Sequence, residues 1–481
     1  MRHALNFMQS TCGPETIPET IPETMMSYQS VDPSSGELLA QHPAHTPAEV
    51  EALLSAAHAA HADWRRRPLA ERTAALTALA GVFERDADRL ALLLTSEMGK
   101  PLAQARGEVM KCVDGLRYYA TNAERFLAPR DVDGLGGLRN IVRYDPIGTV
   151  LAIMPWNFPY WQPTRMIAPV IAGGNTLLLK SAPNTMGTGE AIVAAAAEAG
   201  LPDGIVQTLR AEPDVIAHVI ADVRIQGVSF TGSTRGGRAV AAIAGANGKR
   251  TVLELGGSDP FVVLEDADVA RAAARASDAR LLNCGQSCIA AKRFVVHRSV
   301  AAAFTEAMAA GLRAAVVGDP RDAATTVGPM ARDDLRVELV GQVARSVSAG
   351  AQVVVPGGRR DGAGYFYEPT LLTGVTRAHA VGGEETFGPA GAILVVDSEE
   401  EALAVANDTE YGLGSSVWSA DIERAERFAA RIDAGMVTIN DMNASDVRMP
   451  FGGVKASGYG RELAEEGIRE FMNVKSVRVA G

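Results

Sequence analysis

Cysteine is scarce in this sequence: Cys12, Cys112, Cys284 and Cys288 are the only four among 481 residues. So few thiols in so long a chain make no disulfide framework, which points to a reducing compartment, the cytoplasm. Long apolar runs are missing too. The best of them, around Gly148 to Pro155, falls well short of the roughly 18 residues that span a bilayer, so no membrane partner is expected. Positive charge is in deficit, with 46 Lys plus Arg against 57 Asp plus Glu and a formal net charge of −11. No Lys/Arg run gathers the basic residues, so neither nucleic acid nor an anionic membrane is attracted. After Arg2 and His3 the chain turns polar and Pro-rich with no apolar segment, unlike a secretory signal. A complete GxGxxG is also absent: the pairs Gly134 and Gly136, Gly412 and Gly414, and Gly458 and Gly460 all lack the third glycine. The usual dinucleotide fingerprint is therefore excluded.

What is present is a globular composition. With 47% hydrophobic and 21% charged residues, the chain can bury a large core, and its length suits two or three structural units. Its start carries three tandem units, Pro14-Glu15-Thr16-Ile17, Pro18-Glu19-Thr20-Ile21 and Pro22-Glu23-Thr24-Met25. Proline at every fourth position blocks a helix, so residues 1–26 are expected to be a flexible tail, with Met25 or Met26 as an alternative start. From Thr46 to about Leu127, apolar residues recur at helical spacing, as in Val50, Leu53, Leu54, Ala57 and in Leu76, Leu79, Val82, Phe83. Arg139 to Leu151 alternates and reads as a strand, as does Asn175 to Lys180. Helix-like Gly187 to Ala199, strand-like Ile205 to Leu209, helix-like Asp214 to Ala221 and strand-like Gly227 to Thr231 follow. Strands alternating with helices argue for a parallel sheet, and the alternation resumes from Pro260 to Val437 as a second α/β unit. Val474 to Val479 alternates like an exposed strand able to pair with a neighbour.

Several short segments carry chemistry. Asn283-Cys284-Gly285-Gln286-Ser287-Cys288 sets Cys288 in a polar, glycine-bearing loop, where an accessible nucleophile belongs. A buried structural thiol is the alternative, because free cysteine is among the most buried residue types. No second cysteine pair or nearby histidine completes a metal site with Cys284 and Cys288, and no metal is expected. Glu254, in Leu253-Glu254-Leu255-Gly256-Gly257, would have its pKa raised by burial and then suit a general base; a solvated strand-end carboxylate is equally open. Asn157, held in Pro155-Trp156-Asn157-Phe158-Pro159, offers either a rigid amide donor to an oxyanion or an ordinary turn cap. Phe230-Thr231-Gly232-Ser233-Thr234-Arg235-Gly236-Gly237 lies between a strand and a helix-like run. That context suits helix N-terminal amides meeting a pyrophosphate, or simply a tight turn.

Together these segments resemble the aldehyde dehydrogenase superfamily of NAD(P)-dependent enzymes. PWNFP, LLLK, FTGST, ELGG, GQSC, EETFGP and PFGGVKASGYGREL occur in order from about Ser27 to the C-terminus. Within it, the chain most resembles the bacterial succinate-semialdehyde dehydrogenase branch, through Cys284 to Phe294 and through Ala444-Ser445-Asp446. The resemblance implies an α/β fold of two doubly wound parallel-sheet domains plus a small β oligomerisation extension. Residues 27–127 and 147–255 would bind NAD(P), 256–440 would form the catalytic domain, and 441–465 would return to close the active site. Strands within 128–146 and 466–481 would build a homodimer or homotetramer, the last strand pairing into a partner subunit.

The same resemblance assigns roles. Cys288 attacks an aldehyde, Asn157 holds the oxyanion, and Glu254 activates the water that releases the acid. Trp156, Lys180, Gly232, Ser233, Gly237, Glu385 and Phe387 would bind the cofactor. Arg165 and Ser445 would hold a substrate carboxylate, for which a planar guanidinium is well shaped. Two departures stand out. Pro183 replaces the glutamate that many NAD-preferring relatives carry three residues after the lysine, so NAD and NADP are both usable, with NAD the expected working cofactor. Leu282 replaces a second anchor arginine found in some branch members. The presence of Glu254 argues against a coenzyme-A-acylating relative. The retention of Cys288, Asn157 and Glu385 argues against a non-catalytic relative, and the glycine turn argues against a cofactor-free thiol hydrolase.

Overall fold

A computed structural model of the chain describes residues 27–132 and 139–479. The tandem repeat of the tail and the pair Gly134 and Gly136 lie outside the described residues. The helical N-terminal region resolves into Pro47–Trp64, Leu69–Arg85, Ala87–Met98 and Leu102–Leu127. The first of these starts where the sequence supplies a capping box: Thr46 accepts from the Glu49 amide, and the Glu49 carboxylate returns to the Thr46 amide at 2.7 Å.

Two parallel sheets follow. The first runs Gly458–Tyr459, Arg250–Glu254, Ile225–Thr231, Thr149–Ile153, Thr176–Lys180, Val206–Thr208 across its width, and only Gly458–Tyr459 is antiparallel. Leu177, Leu178 and Leu179 are all fully buried, because helices cover both faces of such a sheet. Leu178 packs with Val50 and Leu54 on one face, while Leu177 and Leu179 join Leu76 and Ile167 on the other. The second sheet orders Gln352–Val355, Thr370–Thr373, Ala390–Val396, Arg293–His297, Pro260–Val263, Gly414–Trp418, Met436–Ile439, with only the first strand antiparallel.

In the first sheet the chain builds outward from Thr149–Ile153, then crosses back to Ile225–Thr231 beside it. Open α/β sheets bind ligands at the carboxyl ends of strands flanking such a reversal. Those ends lead directly into Pro155-Trp156-Asn157 and Gly232-Ser233.

The run from Arg139 to Leu151 is not one strand. It breaks at Ile147-Gly148, where Gly148 has φ +142°, and its halves enter different sheets. Arg139–Pro146 joins a small antiparallel sheet with Met472–Val479 and Arg130–Asp131, whereas Thr149–Ile153 becomes the centre of the first large sheet. The last strand thus pairs within its own chain, in register from Met472 opposite Pro146 to Val479 opposite Arg139. Among the described residues its outer edge carries no further strand. No helix among them is long and apolar enough to cross a membrane.

Candidate active site

Two cavities meet at Cys288. One, of about 500 Å³, is bounded by Trp156, Asn157, Gly232, Ser233, Glu254, Glu385 and Phe387. The other, of about 300 Å³, is bounded by Lys111, Phe158, Trp161, Arg165, Leu282 and Ser445. Cys288 and Gln162 line both, so a group bound on either side reaches the same sulfur.

The nucleophile loop is shaped by backbone that few residues adopt. Asn283, Cys284 and Gly285 hold φ of 55°, 54° and 68°, a left-handed run that reverses the chain after the helix Val269–Leu281. Asn283 stabilises it by donating from Nδ2 to the Asn157 carbonyl at 2.8 Å and to the Gln286 carbonyl at 3.1 Å. Fully buried Lys292 anchors the far side of the loop, its Nζ donating to the carbonyls of Ser287, Cys288 and Ala290 at 3.1, 2.9 and 3.0 Å. Cys284 is buried in the core as a structural thiol, while Cys288 is half-buried at the cavity junction. Burial pushes the Cys288 thiol up to about 12, with Arg165 and Lys292 the nearest charges favouring the thiolate.

Asn157 is buried and fixed from three sides. Its Oδ1 accepts from Gln162 Nε2 at 3.1 Å, its Nδ2 donates to the Gln286 carbonyl at 3.1 Å, and its own carbonyl accepts from Lys100 Nζ at 3.1 Å. Acceptance from Gln162 fixes the amide orientation and leaves the Nδ2 end facing the Cys288 loop. Lys100 is itself held by an ion pair with Glu108, whose carboxylate accepts the Tyr160 and Trp161 amides at the start of helix Trp161–Ala172.

Glu254 ends the strand Arg250–Glu254, is 2% exposed, and lines the larger cavity. Neither carboxylate oxygen has a hydrogen-bond partner among the described residues. Burial raises its pKa well above the ordinary carboxylate value, and the neighbouring Glu462 carboxylate raises it further. Space for Glu254 depends on Gly452, where a Cβ would sit 2.6 Å from its Oε1. Glu462 forms a buried ion pair with Arg165 at 2.7 Å. Arg165 therefore lines the smaller cavity with its charge already matched, its guanidinium 4.4 Å from the Phe451 ring centre.

On the other side, Trp156 and Phe387 meet edge to face with centres 5.6 Å apart. The Glu385 carboxylate accepts the Gly257 amide at 2.9 Å; a Cβ at Gly256 would lie 2.5 Å from its other oxygen and one at Gly257 2.6 Å from the Cys288 carbonyl, which explains the two glycines. Ser233 caps the helix Thr234–Ala246 by accepting from the Gly236 amide at 3.2 Å. Gly237 does not line the cavity; it lets the helix approach Leu255, where a Cβ would meet a methyl at 2.3 Å. Lys180 ends its strand opposite Ile153, outside the cavity wall, with its pKa lowered by burial. Ser445 lines the smaller cavity with Arg165, and its hydroxyl is bonded to Lys111. Lys111, Gln162, Lys292 and Glu462 are not legible as site residues in the sequence: Lys292 and Glu462 fall inside quoted motifs, but no local spacing reveals the distant partner of any of the four.

The profile of the aldehyde dehydrogenase family matches residues 21–477. The protein named succinate-semialdehyde dehydrogenase NADP(+) 1 from Mycobacterium tuberculosis is 43% identical over 457 residues, covering 95% of this chain and 100% of that protein. The succinic semialdehyde dehydrogenase of Streptococcus pyogenes, solved in complex with NADP+ as the cofactor, superposes with a TM-score of 0.92 at 38% identity, covering 94% of this chain and 100% of that one. The succinate-semialdehyde dehydrogenase of Burkholderia pseudomallei does so with a TM-score of 0.92 at 36% identity, covering 95% of each. A nicotinamide cofactor accords with these relatives. The expected preference for NAD does not, since the first two carry NADP in their own descriptions.

Proposed function

We propose that this chain, which belongs to the aldehyde dehydrogenase family, oxidises succinate semialdehyde to succinate with NADP as its working cofactor. It is an NAD(P)-dependent oxidoreductase with an aldehyde substrate. One observation carries the finer reading: Cys288 separates a cavity containing a carboxylate base and a glycine turn from a cavity lined by the cations Lys100, Lys111 and Arg165 and by Ser445.

The residues of the larger cavity suit a dinucleotide. The helix Thr234–Ala246 aims its N-terminus into it, Ser233 satisfies only the Gly236 amide, and the Trp156 and Phe387 rings give it an aromatic wall that would hold the nicotinamide. When bound, the nicotinamide supplies a hydride acceptor. Cys288 as thiolate adds to the aldehyde carbon, and the resulting alkoxide takes a hydrogen bond from Asn157 Nδ2. Loss of hydride from that carbon leaves a thioester on Cys288. Glu254 then removes a proton from water, hydroxide adds to the thioester carbon, and the Cys288 thiolate departs as the acid forms. NADP rather than NAD is supported by Pro183, which stands three residues after Lys180 in place of a carboxylate that would repel a 2′-phosphate, although the Glu212 charge does reach Lys180.

The same reading divides the labour as the sequence suggested, with 27–127 and 147–255 holding cofactor, 256–440 the nucleophile and 441–465 closing the site. It also places the protein in the cytoplasm as a homodimer or homotetramer built through the strands Arg139–Pro146 and Met472–Val479. Light scattering should return at least twice the mass of one chain; a monomer rejects the assembly. Initial rates of NADPH and NADH formation with succinate semialdehyde, set beside butyraldehyde, test the activity. A strong preference for the semialdehyde with NADP supports the assignment, and faster turnover of butyraldehyde overturns the substrate.

A further inference from the structure

The smaller cavity contains a cation that neither the nucleophile nor the base uses. Lys111, on the helix Leu102–Leu127, reaches the cavity wall and donates from Nζ to Ser445 Oγ at 2.7 Å. The Trp161 indole donates to the same hydroxyl at 3.2 Å, and Lys111 Nζ lies 4.8 Å from the Trp161 ring centre. The acidic groups nearest Lys111 are engaged elsewhere: Glu108 pairs with Lys100, and Asp446 pairs with Arg448. The two other cations of the wall are matched, Lys100 by Glu108 and Arg165 by Glu462. The remaining lining is largely apolar, including Phe158, Leu282, Ile289 and Met442. Among the described residues the cavity thus holds one unmatched positive charge, and it sits on Lys111.

We propose that Lys111 is the carboxylate anchor of this site: its ammonium and the Ser445 hydroxyl hold the far carboxylate of the substrate while the aldehyde end reaches Cys288. This rests on the semialdehyde reading above and adds to it a residue not assigned there. Ser445 already accepts from both Lys111 and Trp161, so its own proton is available to a carboxylate oxygen. Partial burial and the nearby Arg165 press the ammonium down to about 8, and a bound anion would relieve that pressure.

The test compares wild type, Lys111→Met and Lys111→Arg on succinate semialdehyde and on butyraldehyde, an uncharged aldehyde of the same carbon count. Lys111→Met should raise KM for the semialdehyde roughly 10- to 100-fold while leaving its kcat and the butyraldehyde kcat/KM within about twofold. Lys111→Arg should recover most of the loss, and inhibition by succinate should weaken in Lys111→Met in parallel with KM. Butyraldehyde turnover doubles as the control for folding. A wild-type preference for the semialdehyde that survives Lys111→Met overturns the anchor alone, as does an equal loss on both aldehydes. A wild type that does not prefer the semialdehyde overturns the substrate reading and the anchor together.

Discussion

The Arg165 guanidinium and the Glu462 carboxylate meet at 2.7 Å with side chains only 3% and 1% exposed, and the pair reaches both reacting groups. Arg165 favours the Cys288 thiolate, while at Glu254 the Glu462 charge opposes ionisation and Arg165 partly offsets it. One buried pair therefore bears on the nucleophile and on the base together.

Breaking that pair from one side strands a charge in the interior. Glu462→Gln should destabilise the fold by about 3 to 5 kcal/mol, and adding Arg165→Met should return most of it. Urea denaturation of the two single variants and the double variant measures the coupling. Strictly additive losses would show that the two side chains do not depend on each other.

Cys288 should behave as an unactivated thiol before cofactor binds. With its pKa pushed up to about 12 by burial, the thiolate fraction grows about tenfold per pH unit below that value. Inactivation by iodoacetamide should accelerate in that proportion from pH 6 to 10, and a plateau near neutrality would contradict the burial. Cys288→Ser should abolish oxidation while leaving nicotinamide binding intact.

Glu254→Gln should separate the two halves of the reaction. The first turnover keeps Cys288 and Asn157, so a burst of reduced nicotinamide close to one per site should appear. Steady turnover should then fall by roughly 10²- to 10⁴-fold, the usual range for a lost general base. Loss of the burst itself would move Glu254 into the first half-reaction.

Stability should carry the mark of the same carboxyl. Its folded-state pKa is raised by burial and by Glu462, so its contribution is fully present below about pH 4, where both states are protonated. As pH rises toward the folded pKa, the unfolded chain ionises first and that contribution is lost. Glu254→Gln should therefore gain on wild type as pH climbs from 5 to 8 in urea denaturation. An advantage independent of pH would mean that Glu254 is ionised in both states.

Pro183→Glu should change cofactor choice. A carboxylate three residues after Lys180 would repel a 2′-phosphate, so kcat/KM with NADP should fall by at least about tenfold relative to NAD. An unchanged ratio would place the discrimination elsewhere on the ribose side.

Much of this protein is legible in its sequence. Alternation of apolar strands and periodic helices marked the two α/β units, and Cys288, Glu254 and Asn157 stood in short segments whose composition limited what they could do. Local pattern suffices there, because a strand end or a glycine turn is fixed by residues a few positions apart. Tertiary structure decided the rest. Ile147-Gly148 splits a continuous β-like run because two sheets, not one, wait to receive its halves. Lys111 meets Ser445 across 334 positions of sequence, and Arg165 meets Glu462 across 462 − 165 = 297. No periodicity encodes such pairs. Whether a lysine, an arginine or a glutamate is buried, matched or left with an open charge depends on which distant side chain packing brings against it, and that is settled only when the sheets and their covering helices close.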